Sequence, residues 1–363
     1  MVIHNVHIYH KGTFIQGSLT FHSTIEHIHA ECDQKPHPCD DSLLYLVPGF
    51  IDIHTHGGAG LDVNHLHTHD EVDRLSHYYA SHGTTSFQLS LMSDSVENTE
   101  RVLHLLSSSM ECGVGGSNFI GIHLEGPFLS QAYKGAMNEK YIRKADEKLL
   151  QHYQERAHHH ITYMTVAPEN EGIDTLIRHN KESLVFSMGH SGATYEQSME
   201  AIACGVNSAT HMFNAMKLFH MHAPAICGAA LESDIYTEAI CDGFHLCPAA
   251  VRLLIKTKGL NRVIAITDSM MAAGLGDGLY TLGSQSVVVK DHGAQLLNGV
   301  RAGSTLTQER ALHNIMEFTS FPLEKVLPLL TMNPARLLHL EKRKGSIAEG
   351  KDADFVLLNK KWT

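Results

Sequence analysis

Eight short apolar runs, separated by amphipathic stretches, constrain this chain more than any other feature. They are Gly49 to His54, Thr84 to Met92, Asn118 to Gly126, Ile161 to Glu169, Ser183 to His190, Val206 to Phe213, Tyr236 to Gly243 and Arg262 to Ser269. Helical patterns between them include Asp70 to His82, Ser95 to Cys112, Tyr195 to Cys204 and Pro248 to Lys258. Near-continuous apolar strands alternating with amphipathic helices predict a parallel sheet covered on both faces. Eight such units predict an α/β fold, an eight-stranded (β/α)₈ TIM-like barrel whose active site gathers at the strand C-termini. A doubly wound open sheet is the alternative, but no Gly-x-Gly-x-x-Gly opens a helix here.

The two chain ends follow another pattern. Val2 to Tyr9 alternates, Lys11-Gly12 turns, and Phe14 to Phe21 and Ile25 to His29 follow as strands; Glu31 to Ser42 reads as a loop. Gly345 to Leu358 reads as a turn and a strand that pairs with the N-terminal ones. The expected division is a small β domain from residues 1–47 plus 337–363, and a barrel over 48–336. After Asp268, a hairpin is expected at Gly278 to Lys290, then helices at Thr307 to Thr319, Leu323 to Leu330 and from Asn333.

What ends the apolar runs points to chemistry. The first ends in His54 and His56, whose i, i+2 spacing aims both imidazoles to one side of a strand. The third ends in Glu125, the fifth in His190, the sixth in His211 and the eighth in Asp268; the seventh reaches Asp242-Gly243-Phe244-His245. A carboxylate or imidazole at such a position is costly to desolvate unless paired or metal-bound. Singly, each has an ordinary reading: a lone His is a hydrogen-bonded surface residue, and Asp268 could cap a helix. Jointly, His54, His56, Glu125, His190, His211 and Asp268 predict a divalent-metal site. His123 is expected to pack behind it, and His65, His67 and His69 fall in a polar loop. Imidazoles and carboxylates without thiolate suit Zn²⁺ foremost, with Fe²⁺, Co²⁺ or Mn²⁺ also suited. One or two ions per subunit are expected, two if Glu125 bridges them. Asp268 is read as a ligand and as the proton carrier of the reaction.

Composition narrows the partners. The net charge of −11 argues against nucleic acid or an acidic membrane surface, while leaving room for a local anion pocket. The seven cysteines make no Cys-x-x-Cys pair, no basic leader precedes a long apolar stretch, and no run would span a bilayer. A cytoplasmic enzyme acting on a small molecule is the expectation.

Several motifs carry a resemblance. Pro48-Gly49-Phe50-Ile51-Asp52-Ile53-His54-Thr55-His56-Gly57 and the closing Gly345 to Asp354 segment resemble the amidohydrolase superfamily. His123-Leu124-Glu125-Gly126-Pro127-Phe128, Gly189-His190-Ser191-Gly192-Ala193, Thr210 to Met216 and Asp242 to His245 are similar to its N-acetylglucosamine-6-phosphate deacetylase family. The resemblance implies a barrel with a β-sandwich from both termini, usually a homodimer. It also implies Glu125, His190 and His211 as metal ligands, Asp268 as catalytic acid and base, and an amino sugar phosphate as substrate. It gives Asn214, Ala215 and His245 substrate-binding roles, together with the loops Ala136-Met137 and Arg301-Ala302-Gly303. The chain departs from the family at Met137, where a histidine is common, and at His222, where an arginine from the neighbouring subunit reaches the phosphate. Arg301 or Lys217 could supply that positive charge. The fourth run lacks the carbamylated lysine of some other amidohydrolases. The alternatives are a deacetylase for another epimer such as N-acetylgalactosamine 6-phosphate, a cyclic-amide hydrolase, and a non-catalytic binding relative.

Overall fold

The computed structural model describes residues 1–30 and 44–362. The loop read at Glu31 to Ser42, with Cys32 and Cys39, lies outside the described residues.

Eight parallel strands form the central sheet: β1 (Phe50–Asp52), β2 (Thr84–Met92), β3 (Asn118–Glu125), β4 (Ile161–Val166), β5 (Val185–Met188), β6 (Val206–Ala209), β7 (Tyr236–Ile240) and β8 (Val263–Ile266). They pair in sequence order, the order of a barrel rather than of a doubly wound sheet, whose order reverses at a switch point. β1 and β8 share no strand ladder, yet the segments beyond them meet. Asp268 N–H donates to the His54 carbonyl at 2.9 Å, His56 N–H donates to the Ser269 carbonyl at 2.7 Å, and Thr55 and Ser269 form a parallel bridge. The barrel therefore closes at the end where the polar residues gather.

Helices were expected between most of the strands, four of them named by their pattern. They occur at His69–Ala80, Val96–Cys112, Tyr195–Cys204 and Pro248–Lys258. Thr68 with Glu71, and Thr194 with Gln197, form capping boxes that satisfy the first backbone donors. Ala225–Glu232 is a further helix, Ala-Ile-Cys-Gly-Ala-Ala-Leu-Glu, buried along most of its length and so lacking the amphipathic period that marks a surface helix. The outward side chains of the strands pack under these helices into one large apolar core. The inward side chains are more polar than a continuous apolar reading suggests. Ser90, Thr165, Ser187 and Thr210 are fully buried, and Thr210 is hydrogen-bonded to both Thr165 and Ser187.

The chain ends build a five-stranded sheet in the order Phe355–Leu358, Tyr45–Pro48, Val2–His10, Thr13–Phe21, Ile25–Ala30. Tyr45–Pro48 belongs to this sheet, antiparallel to Phe355–Leu358 and parallel to Val2–His10. Gly49 then carries the chain straight into β1, and a Cβ there would collide with the Thr85 side chain. Val6, Ile8, Leu19, Ile25, Leu46 and Ile347 form this unit's own core. The expected hairpin is present as Gly278–Leu282 and Gln285–Lys290, with a third strand, Gly293–Leu296, added to it. Among the described residues no helix is long and apolar enough to cross a membrane.

Candidate active site

At the C-terminal mouth of the barrel the chain turns sharply out of each strand. His190, His211 and Asp268 have φ of 46°, 30° and 51°, left-handed values that side-chain-bearing residues adopt at a cost.

The donors converge on Glu125. Its Oε1 lies 3.0 Å from His190 Nε2, 3.1 Å from His211 Nε2 and 3.5 Å from His54 Nε2, and its Oε2 lies 3.2 Å from His56 Nε2. His54 and His56 Nε2 are 3.2 Å apart, and His190 and His211 Nε2 are 3.1 Å apart. Asp268 Oδ1 sits 3.2 Å from His56 Nε2 and 3.7 Å from His54 Nε2. Two donor groups result, His54–His56–Glu125 and Glu125–His190–His211, both buried and sharing the glutamate.

These groups fit a divalent cation. A metal about 2.0–2.1 Å from each imidazole nitrogen places tetrahedral neighbours about 3.3–3.4 Å apart, close to the separations here. The far side of three rings is committed. His54 Nδ1 faces the Glu238 carboxylate at 3.0 Å, His56 Nδ1 faces the Ser90 carbonyl at 3.1 Å, and His190 Nδ1 faces the Tyr133 carbonyl at 3.1 Å. Each partner only accepts, so each Nδ1 carries the hydrogen and each Nε2 keeps a lone pair for the centre.

Electrostatics agree. Burial, the largest influence on His56, lowers its pKa, but hydrogen bonds to Asp268 and Glu125 and their charges raise it to about 10. Burial likewise pushes Glu125 and Asp268 upward and is outweighed. The charges of His190 and His54 hold Glu125 well below its usual range, and the His56 hydrogen bond and the nearby imidazolium charges hold Asp268 down. Without a cation, the carboxylates draw protons onto His54 and His56; a bound divalent ion would take their place.

His123 lies behind the ligands, as its position suggested. It is fully buried between the Ser90 and Thr165 hydroxyls, each 2.8 Å away, and burial and the charge of His54 keep it neutral.

Above the cluster opens a cavity of about 520 Å³. His56, Glu125, His190, His211 and Asp268 line its floor; Ala136, Met137, Asn214, Ala215, His245, Arg301, Ala302 and Gly303 line its sides. His54 sits one layer deeper, fully buried. Asp242 Oδ2 accepts from His245 Nδ1 at 2.7 Å and so fixes that ring. His222 lies outside this cavity, on an exposed loop with Leu218, Phe219 and Met221. Lys217 is not among the lining residues either. His65, His67 and His69 stand around the start of helix His69–Ala80, away from the cavity, with His65 near Asp62 and His67 near Arg101.

Sequence reasoning passed over Met92, Phe213, Leu282, Gln295 and Val300, which also line the cavity. It also passed over Glu238, whose one visible signal was a carboxylate inside the otherwise uncharged strand β7.

The model of the amidohydrolase family matches residues 45–363. The chain belongs to the amidohydrolase family. Among amidohydrolase relatives, the N-acetylglucosamine-6-phosphate deacetylase of Bacillus subtilis is 38% identical over 327 residues, covering 89% of this chain and 82% of its own. The N-acetylgalactosamine-6-phosphate deacetylase of Escherichia coli O157:H7 is 33% identical over 86% of this chain and 83% of its own. An aspartate-to-alanine mutant of the Mycobacterium smegmatis N-acetyl-D-glucosamine-6-phosphate deacetylase, solved in complex with N-acetyl-D-glucosamine-6-phosphate, superposes with a TM-score of 0.91. It is 30% identical, with 100% of this chain and 96% of that one covered.

Proposed function

We propose that this amidohydrolase hydrolyses the acetamide of N-acetyl-D-glucosamine 6-phosphate, releasing acetate and D-glucosamine 6-phosphate in amino sugar catabolism. The observation that carries the reading is Asp268 Oδ1 at 3.2 Å from His56 Nε2, on the floor of the cavity beside the Glu125–His190–His211 group. Glu125, His190 and His211 would hold one divalent ion, and His54 and His56, sharing Glu125, a second. Such an ion supplies Lewis acidity to the acetamide carbonyl and acidifies a water.

The residues do the rest. Asp268, ionised and facing the cavity, accepts a proton from the water as its oxygen bonds to the carbonyl carbon. The same carboxyl then returns that proton to the amide nitrogen, so the C–N bond breaks to a neutral amine. His245, its ring fixed by Asp242, presents Nε2 to the substrate. Asn214, the Ala215 backbone and the Ala136-Met137 loop hold the sugar. Arg301, exposed at the rim and followed by Ala302 and Gly303, offers a guanidinium to the phosphate.

Zn²⁺ is the proposed ion on donor chemistry, ahead of Fe²⁺, Co²⁺ and Mn²⁺. The proposal extends to a homodimer in a reducing cytoplasm. The exposed apolar loop carrying Leu218, Phe219 and Met221 supports a second subunit there; in such a dimer His222, on the same loop, would reach the neighbour's cavity, as the resemblance implies. The described cysteines, all free, support the compartment. Residues 48–336 would act as the catalytic unit, and 1–47 with 337–363 as its β domain.

Acetate release tests the reading: N-acetylglucosamine 6-phosphate should be turned over faster than its galacto epimer and far faster than either unphosphorylated sugar. Preference for the galacto epimer would reassign the substrate.

A further inference from the structure

Glu238 is a fully buried carboxylate with no part in the chemistry above, yet it touches both donor groups. Its Oε2 accepts from His54 Nδ1–H at 3.0 Å and from the His211 backbone N–H at 3.0 Å; its Oε1 accepts from the Tyr163 hydroxyl at 2.6 Å. Resting on the metal-dependent reading, we propose that Glu238 is a positioning residue that sets the affinity of the His54–His56 pair for the second divalent ion.

Three observations carry this. The first is the contrast among the imidazoles. His56 and His190 lean on backbone carbonyls, and His211 Nδ1 is buried without a partner. Among the four, His54 alone has an anion on its far nitrogen, which fixes its tautomer and makes its Nε2 the more basic donor. The second is charge. Two divalent ions bring four positive charges to a buried site, where Glu125 and Asp268 supply two negative ones; Glu238 is a third carboxylate within one ring's width. Removing it would leave more uncompensated positive charge out of water. The third is reach. The same oxygen that orients His54 also holds the backbone of His211, whose φ of 30° needs such support. Tyr163 stays protonated to serve as donor, because burial and the adjacent Glu238 charge push its pKa well above its usual value.

Glu238→Gln separates charge from shape. A glutamine oxygen can still accept from His54 and His211 while its amide group donates to the Tyr163 oxygen. The experiment is competition of Zn²⁺ against a chelator of known affinity, with bound metal counted, on purified full-length wild type and variant. The expected wild type holds two ions. The expected variant holds the first with unchanged affinity and the second about 10–100-fold more weakly, the usual range for losing such an outer partner. Tyr163→Phe provides a second reading that does not depend on the glutamine variant folding. It leaves the carboxylate charged with one donor fewer, so the second ion should bind as tightly or more tightly. Unchanged affinities in Glu238→Gln, or second-ion binding in Tyr163→Phe weakened to a similar degree, would overturn the inference while leaving the deacetylase reading intact. A wild type holding one ion overturns the inference alone; a wild type holding none contradicts the catalytic reading and the inference together.

Discussion

Asp52 Oδ2 accepts the Thr267 hydroxyl at 2.6 Å, across the seam where β1 and β8 share no ladder. Asp52 Oδ1 also receives the backbone N–H of Thr267 at 3.3 Å and of His54 at 3.4 Å. One side chain thus ties the strand that leads to His54 and His56 to the strand that leads to Asp268. Burial raises its pKa from 3.8 to about 7, against these hydrogen bonds and the His54 charge. Because the folded value lies above the unfolded one, Asp52 stabilises the fold fully below about pH 4, and that contribution is lost as pH rises through about 7. Asp52→Asn lacks this titration. In thermal melts of chelator-treated protein, the variant should gain on wild type between pH 5 and pH 8; a constant difference in melting temperature contradicts the assignment.

Asp268→Asn keeps the size of the side chain and removes the base. Deacetylation should fall by about 10²–10⁴-fold, the usual contribution of a positioned general acid or base. Metal content should change little, since the Glu125–His190–His211 group is untouched. Turnover close to wild type at equal metal content would assign the proton transfer elsewhere.

Replacing His54 and His56 together with asparagine should lower the bound metal from two ions to one. Both remaining imidazole ligands belong to the other group. Elemental analysis after dialysis checks this; loss of all metal would show that the two groups bind as one unit.

Arg301→Ala should raise KM for the phosphorylated substrate about tenfold or more while leaving kcat nearly unchanged, because the guanidinium sits at the rim and the reacting floor is formed by other residues. The unphosphorylated sugar should show no such change. Equal effects on both sugars would move Arg301 away from the phosphate.

The fold was legible because apolar runs and helical periodicity are local signals. The helices Tyr195–Cys204, Pro248–Lys258 and Leu323–Leu330 begin and end where their patterns do. The cluster was legible for a related reason: His54, His56, Glu125, His190, His211 and Asp268 interrupt apolar runs at equivalent positions, and barrel closure brings equivalent positions together. What stayed hidden depends on long-range placement. Glu238 lies within its strand, so only its contacts with Tyr163, His54 and His211 show why a charge is tolerated there. The Ser90 and Tyr133 carbonyls that orient His56 and His190 are backbone atoms, which carry no residue signature. Helix Ala225–Glu232 is buried along most of its length, so periodicity could not reveal it. The boundary at residue 47 comes out within one residue, Tyr45–Pro48 joining the sheet of the chain ends and Phe50 beginning β1.

The most direct measurement is acetate release from N-acetylglucosamine 6-phosphate by chelated protein as Zn²⁺ is added back, with bound metal counted on the same samples and Asp268→Asn run alongside. Activity should appear with metal occupancy in the wild type and stay at least about a hundredfold lower in the variant at the same occupancy. Acetate release that ignores chelation, or none at full occupancy, would contradict the account.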